Sequence, residues 1–202
     1  MELQQRLRNA LKITAGEFNR ALWHFDPAPG RDNTYPERMV SYYYVRALAK
    51  ALPRANVFLE IPVTGRSQRG WDNHIDALVF NDDEAIVAEF KVAWAREHWE
   101  SLARDLKRLR TASMAKEIRK CFEGAEHVAT RRRRPFIFLG ADVWRPERAE
   151  AWKSGKRSGN WKLPNSMLGS QRDYVCVYPD KGKDFDGYYF TWALFDFDEM
   201  SA

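Results

Sequence analysis

The stretch His74-Ile-Asp-Ala-Leu-Val-Phe80, Asn81-Asp-Asp-Glu84, Ala85-Ile-Val-Ala-Glu-Phe-Lys91 predicts a β-hairpin. Two apolar runs rich in β-branched residues flank a polar connector of Asn and Asp, which is the local pattern of two strands joined by a tight turn. With Asp82 and Asp83 in the turn, Leu78 faces Val87 across the two strands. The apolar character of these partners supports this register.

In the same register, Asp76 and Glu89 are direct cross-strand neighbours. Opposed Cβ atoms in such a ladder lie roughly 4.5–5.5 Å apart, and like charges there are destabilising. Lys91 points to the same face as Glu89, because side chains alternate along a strand. One lysine offsets only part of the charge of two carboxylates, so a divalent cation with oxygen ligands is the natural completion. A slip of one residue would place Ala88 opposite Asp76 and remove the pair.

Length and composition indicate one domain, or one domain with an extra arm. The 202 residues are 45% hydrophobic, which can bury a substantial core. Lys and Arg number 33 against 28 Asp and Glu, giving a net charge of +5 that mildly favours a polyanionic partner. Cys121 and Cys176 lack metal-ligand spacing and are expected to be buried free thiols. With no apolar segment of membrane-spanning length, the expected partners include no membrane and the expected location is cytoplasmic.

The order of elements along the chain divides it into two parts. Residues 1–33 are expected to form an N-terminal helical arm and a linker, because an apolar helical stripe ends in a segment rich in Pro, Gly and Asp. Residues 34–202 are expected to form the main domain, which begins with a helix, a first strand and the hairpin. An apolar stripe from Trp99 to Cys121 then predicts one long helix or two consecutive ones, and a buried strand follows at residues 135–140. The predicted order is helix, three strands, helix, strand.

Asp76, then twelve intervening residues, then Glu89-Phe90-Lys91, resembles the signature of the PD-(D/E)XK (restriction-endonuclease-like) nuclease superfamily. The resemblance covers about the middle half of the chain. Ile75 stands where the signature has proline, a position that varies in the family. The resemblance implies an α/β fold with a restriction-endonuclease-like core, in which helices flank a central mixed β-sheet in the order αβββαβ. The N-terminal helices would be an extension of that core.

The resemblance also implies roles for individual residues. Asp76 and Glu89 would bind Mg²⁺, which Mn²⁺ would replace, with the backbone carbonyl of Phe90 as a further ligand. Glu37, on the helix before the first strand, would complete the site; the alternative is an exposed first-turn carboxylate that interacts with the helix dipole. Lys91 would orient the attacking water and stabilise the transition state, leaving a 5′-phosphate and a 3′-hydroxyl.

Contacts to the substrate are expected from basic side chains near the site. His74 shares the face of Asp76 and could contact the phosphate or a metal-bound water, although a lone histidine at a strand start is more often structural. Trp152 and Trp161 would stack on unpaired bases, or else belong to the core. Six basic side chains are candidates for contact with a phosphate backbone, and the alternative is that they only form a solvated surface. They are Arg66, Arg69, Lys153, Lys156, Arg157 and Lys162.

The expected function is therefore a Mg²⁺-dependent (endo)deoxyribonuclease that hydrolyses phosphodiester bonds of DNA in defence, repair or a mobile element. Two alternatives stay open: a catalytically silent module that binds nucleic acid or protein on the same scaffold, and an RNA-directed nuclease. Many relatives in the superfamily cut duplexes as dimers, so the resemblance also implies a homodimer as one expected state.

Overall fold

The computed structural model describes residues 2–25, 37–62, 74–92, 96–123, 134–160, 162–168, 170–179 and 187–197. The first helices and strands are α1 (Leu3–Phe25), α2 (Glu37–Ala51), β1 (Asn56–Pro62), β2 (His74–Phe80) and β3 (Glu84–Val92). These are followed by α3 (Arg96–Leu109), α4 (Ala112–Glu123), β4 (Arg134–Trp144), α5 (Pro146–Ser154), a 3₁₀ turn (Asn165–Met167), β5 (Gln171–Tyr178) and β6 (Tyr188–Asp196). The predicted order of helix, three strands, helical region and strand is confirmed from α2 to β4.

The strands form one mixed sheet in the order β1-β2-β3-β4-β6-β5. β3 and β4 run parallel, and the other neighbours are antiparallel. The predicted hairpin register is confirmed, since Leu78 pairs with Val87 and Phe80 with Ala85. Asn81 sets the turn, because its side-chain oxygen accepts hydrogen bonds from the backbone N–H groups of Asp83 (3.0 Å) and Glu84 (2.8 Å).

Helices cover both faces of the sheet. α1 and α2 share one apolar core with the sheet, and α3, α4 and α5 share the other. Side chains of β3 alternate between the two cores: Ile86, Ala88 and Phe90 face α1 and α2, while Ala85 and Val87 face α3. Glu89 therefore points towards α3. The prediction of an α/β fold with a central mixed sheet flanked by helices is confirmed.

Gly140 allows the core to close beneath the C-terminal half of β3. A Cβ at this position would lie 2.9 Å from the Phe90 ring and 3.1 Å from the rings of Phe138 and Tyr44. Tyr44 is held there because its hydroxyl donates hydrogen bonds to the carbonyls of Ala141 (2.6 Å) and Thr191 (2.8 Å). The three rings cannot all retreat, since each is packed in the same buried cluster.

We expect Gly140→Ala to lower the free energy of unfolding by about 1–3 kcal/mol, because the added methyl overpacks this ring cluster. Gly16→Ala is the matched control, since a Cβ there meets nothing within 4 Å. Gly16 lies inside α1, where alanine is favoured over glycine by up to about 1 kcal/mol, so the control should be neutral or stabilising. Urea unfolding curves of the two variants measure both changes, and equal stabilities would contradict the proposed overpacking.

Burial differs from expectation at the two cysteines, and it decides between the two alternatives left open for Trp152. Cys121 and Cys176 are free thiols, as expected, but both are exposed. Cys176 faces outward because it alternates with the buried Val175 and Val177 on β5. Trp152, considered for base stacking, is fully buried, and its indole N–H donates a hydrogen bond to the Trp192 carbonyl (2.8 Å). The alternative core role is therefore confirmed for Trp152, while Trp161 lies outside the described residues.

Candidate functional site

The two predicted carboxylates lie where the hairpin ladder ends. The β2–β3 pairs run from Phe80 and Ala85 to Ala77 and Ala88, so Asp76 and Glu89 stand one step beyond the last pair. Beyond the last backbone pair, the Asp76 side chain links the two strands, because its Oδ2 accepts a hydrogen bond of 2.7 Å from the Phe90 backbone N–H. The hairpin thus fixes Asp76 beside the residue that follows Glu89.

Glu89 is almost fully buried, with 2% of its surface exposed, and its charge partner comes from helix α3. Arg108 Nη2 donates a hydrogen bond of 2.6 Å to Glu89 Oε1. The same guanidinium donates through Nη1 to the His74 carbonyl at 2.9 Å, so it connects α3 to both strands of the hairpin. Such a charge-assisted contact fixes the orientation of the carboxylate.

Lys91 was expected beside Glu89, and it forms an ion pair with a third carboxylate, Asp105. Lys91 Nζ lies 3.7 Å from Asp105 Oδ2, and Asp105 Oδ1 lies 3.8 Å from Arg108 Nη2. Asp105 is three residues before Arg108 on α3, so both side chains reach the sheet from one helical face. Three carboxylates and two cations therefore meet at the end of β3.

Burial and mutual repulsion perturb the acids of this cluster. Burial, together with the nearby charge of Asp76, raises the pKa of Glu89 to about 9, against the opposing influence of Arg108 and Lys91. Burial also raises the pKa of Asp105, although Lys91 and Arg108 lower it. A cleft acid whose pKa is displaced by desolvation and by a neighbouring carboxylate is typical of functional sites.

The donor set suits a hard divalent cation, although the described residues contain no ready-made group of three or more His, Cys, Asp or Glu side chains that could hold a metal. With all five groups ionised, the carboxylates outnumber the two cations, which leaves a net negative charge. Asp76 and Glu89 each use one oxygen in the contacts above, and within the described ranges the second oxygen of each receives no hydrogen bond. Carboxylate oxygens are the ligands that Mg²⁺ prefers. Asp76 and Glu89 are therefore the residues of this cluster that could hold a metal, each through its second oxygen, while Arg108 contacts Glu89 Oε1.

Glu37, predicted as a further ligand, is the first residue of α2. This helix runs antiparallel to β3, because Tyr44 stacks on Phe90 near the end of the strand while Ala51 lies near its start, where Arg6 contacts both Ala51 and Glu84. The first turn of α2 therefore lies near the C-terminal end of β3, as Glu89 does, but on the opposite face of the sheet. The role of Glu37 as a ligand stays a prediction.

The predicted substrate contacts fall in several places. His74 is half-buried at the start of β2. Lys153 forms an ion pair of 3.2 Å with Asp173, which ties it to β5. Arg66 and Arg69 lie outside the described residues, and the exposed side chains that follow α5 are Lys156, Arg157 and Lys162.

Two site residues escaped prediction from the sequence, Asp105 and Arg108. The apolar stripe of α3, with Leu102 and Leu106 among its members, was correctly placed in the core. Asp105 lies three residues after Leu102, on the border of that stripe, and a carboxylate there needs a partner. This is the signal in the sequence that could have brought α3 into the site.

Comparison of the chain with models of known protein families, with curated proteins and with solved structures finds no match. Among the described residues, no helix is both long and apolar enough to cross a membrane. The function must therefore be argued from the chemistry of the cluster at the end of β3.

Proposed function

We propose that this protein is a metal-dependent deoxyribonuclease with a restriction-endonuclease-like core of the PD-(D/E)XK type. The observation that supports it is a buried Glu89, with Asp76 fixed beside it and Lys91 two residues further along the same strand. Burial beside a second carboxylate raises the pKa of Glu89 and makes its ionisation costly to the fold, so a chain that keeps this pair is expected to gain something else from it. The order α2-β1-β2-β3-α3-α4-β4 supports the proposal, since it agrees with the αβββαβ order that the signature implies apart from a second helix between β3 and β4.

In the proposed mechanism Asp76 and Glu89 would hold Mg²⁺, and the Phe90 carbonyl and Glu37 would be further ligands. When bound, the ion supplies an activated water and offsets the charge that develops on the scissile phosphate. Lys91 would orient the attacking water and would donate hydrogen bonds to the phosphate oxygens as negative charge builds on them. The products are a 5′-phosphate and a 3′-hydroxyl.

Asp105 and Arg108 act as positioning residues in this proposal. Asp105 holds the Lys91 ammonium on the α3 side of the sheet through their 3.7 Å ion pair. Arg108 fixes one oxygen of Glu89 and thereby leaves the second oxygen for the metal. Neither residue needs to touch the substrate for this role.

A second candidate function is a binding module that keeps the scaffold without turnover. The contact between Arg108 and Glu89 favours it, because a guanidinium already compensates part of the charge that a metal would neutralise. An RNA-directed nuclease is the third candidate. These alternatives differ from the first in what they do to DNA when a divalent metal is present.

We expect the purified protein to cleave plasmid or oligonucleotide DNA in Mg²⁺ or Mn²⁺ and to be inactive in excess chelator. Lys91→Ala, purified in parallel, should lose most of this activity and so exclude a contaminating nuclease. A matched RNA of the same sequence identifies the preferred polymer. DNA binding without cleavage in any divalent metal would favour the silent module, and equal cleavage by wild type and Lys91→Ala would refute the proposed site.

A further inference from the structure

A cavity of about 320 Å³ opens directly after the C-terminal end of β4. The described residues that line it are Arg145, Glu147, Arg148, Ser158, Gly159 and Asn160. Arg145 is the residue between β4 and α5, and Arg148 lies in the first turn of α5. The opposite wall is the loop at residues 158–160, which is braced by a hydrogen bond of 2.5 Å from Arg157 Nε to the Gly159 carbonyl.

The lining suits an anionic group. Two guanidinium groups stand against the single carboxylate among the six described lining residues. Ser158 and Asn160 add neutral hydrogen-bond donors, and guanidinium groups bind phosphate oxygens with two parallel hydrogen bonds. The volume is in the range of pockets that hold small ligands or parts of larger ones.

The cavity lies along the same edge of the sheet as the candidate catalytic cluster. β3 and β4 are parallel and Lys91 pairs with Ala141, so the carboxyl ends of both strands point the same way. Glu89 pairs with Leu139, and Trp144, the last residue of β4, is five residues beyond Leu139, or about 17 Å along the strand. Ligands of open α/β sheets bind beyond the carboxyl ends of the strands, where both features lie.

We propose that the cavity binds a backbone phosphate of the polynucleotide whose scissile phosphate lies at Asp76 and Glu89. The proposal rests on the proposed function for its choice of substrate, and it adds a second anchoring point, built from Arg145 and Arg148. Contacts to phosphate position a nucleic acid without reading its sequence. The cavity would thus fix the register of the strand at the cluster.

The test is fluorescence anisotropy with a labelled single-stranded DNA of about 20 nucleotides in chelator, titrated at several salt concentrations. The double variant Arg145→Gln/Arg148→Gln removes two phosphate contacts. The slope of log affinity against log salt concentration should therefore become less steep by about 1.4. Glu147→Gln should have the opposite effect and bind DNA more tightly at low salt. The opposite signs of these two changes within one cavity would not arise from misfolding.

The matched control for loss of charge is Lys12→Gln/Arg54→Gln. Both side chains are exposed, and Arg54 lies just before β1, whose first residue Asn56 pairs with Phe80 at the opposite edge of the sheet. The control should leave the salt slope close to that of the wild type. Equal effects of the two double variants would overturn the proposal, and so would an unchanged affinity in Glu147→Gln.

Inorganic phosphate, compared with chloride at matched ionic strength, separates a strand from a free anion as the occupant. Phosphate that competes with DNA in the wild type, but not in the arginine double variant, supports a shared phosphate site. Binding of phosphate at this site without any effect of the arginines on DNA would overturn the proposal. These binding measurements use no metal, so they test the cavity separately from the nuclease. DNA binding that depends on the two arginines, without cleavage in any divalent metal, would contradict the nuclease alone. Cleavage by the wild type, with unaltered DNA binding in the arginine double variant, would contradict the phosphate site alone.

Discussion

Asp76→Asn is expected to lower the rate of metal-dependent DNA cleavage by about a thousandfold or more, equivalent to about 4 kcal/mol of transition-state stabilisation. The substitution removes the negative charge that holds the metal, while an amide oxygen can still accept the hydrogen bond from the Phe90 N–H. Above about pH 9, where Glu89 is ionised in the folded protein, it also removes the repulsion that Asp76 exerts on Glu89. At such a pH we therefore expect the variant to be at least as stable as the wild type in the absence of metal, although it is inactive.

Single-turnover cleavage rates and urea unfolding curves measure the two halves of this prediction. Asp82→Asn is the matched control, since it makes the same chemical change in the exposed turn of the same hairpin. Substitutions at exposed positions of this kind usually change stability by less than about 0.5 kcal/mol. The assignment of Asp76 fails if the Asp76→Asn protein cuts DNA as fast as Asp82→Asn.

Glu89→Gln is expected to change how the stability of the protein depends on pH. The folded protein holds the Glu89 proton up to about pH 9, whereas an unfolded chain loses it near its ordinary pKa of 4.5. Between these values unfolding releases a proton, so the free energy of unfolding of the wild type falls as pH rises, by about 1.4 kcal/mol per pH unit. Glutamine carries no proton to lose. The variant should therefore gain about 3 kcal/mol relative to the wild type between about pH 6 and 8.

Denaturant unfolding at several pH values in chelator measures this difference. Added Mn²⁺ should raise the melting temperature of the wild type at about pH 8, because the ion replaces the proton on Glu89 and binds the folded state alone. The same addition should leave the melting temperature of Glu89→Gln nearly unchanged. Parallel pH profiles of wild type and variant would show that Glu89 is ionised in the folded protein and would sink the prediction.

The hairpin could be predicted because its information is local. Alternating apolar residues fix the faces of β2 and β3, and the Asn81 side chain fixes the turn, so the register followed from a short stretch of chain. The placement of Asp76 and Lys91 follows from that register. These are the parts of the candidate site that the sequence predicts well.

The rest of the site depends on how distant elements pack. Arg108 reaches Glu89 from a helix that begins after β3, and no rule of sequence spacing predicts that contact. The position of Glu37 shows the same limit, since its helix was predicted from its apolar stripe but the face of the sheet that it covers follows from the tertiary fold. Long-range packing supplied what periodicity along the chain could not.

The bridge that Arg108 makes from α3 to Glu89 and to the His74 carbonyl has a consequence during synthesis. Both hairpin strands leave the ribosome before α3, so a nascent chain carries the acidic pair without the guanidinium that orients it. The contacts of Arg108 with Glu89 and His74 form only when α3 has docked. Under the proposed function, partly made or partly unfolded copies would therefore be inert towards DNA.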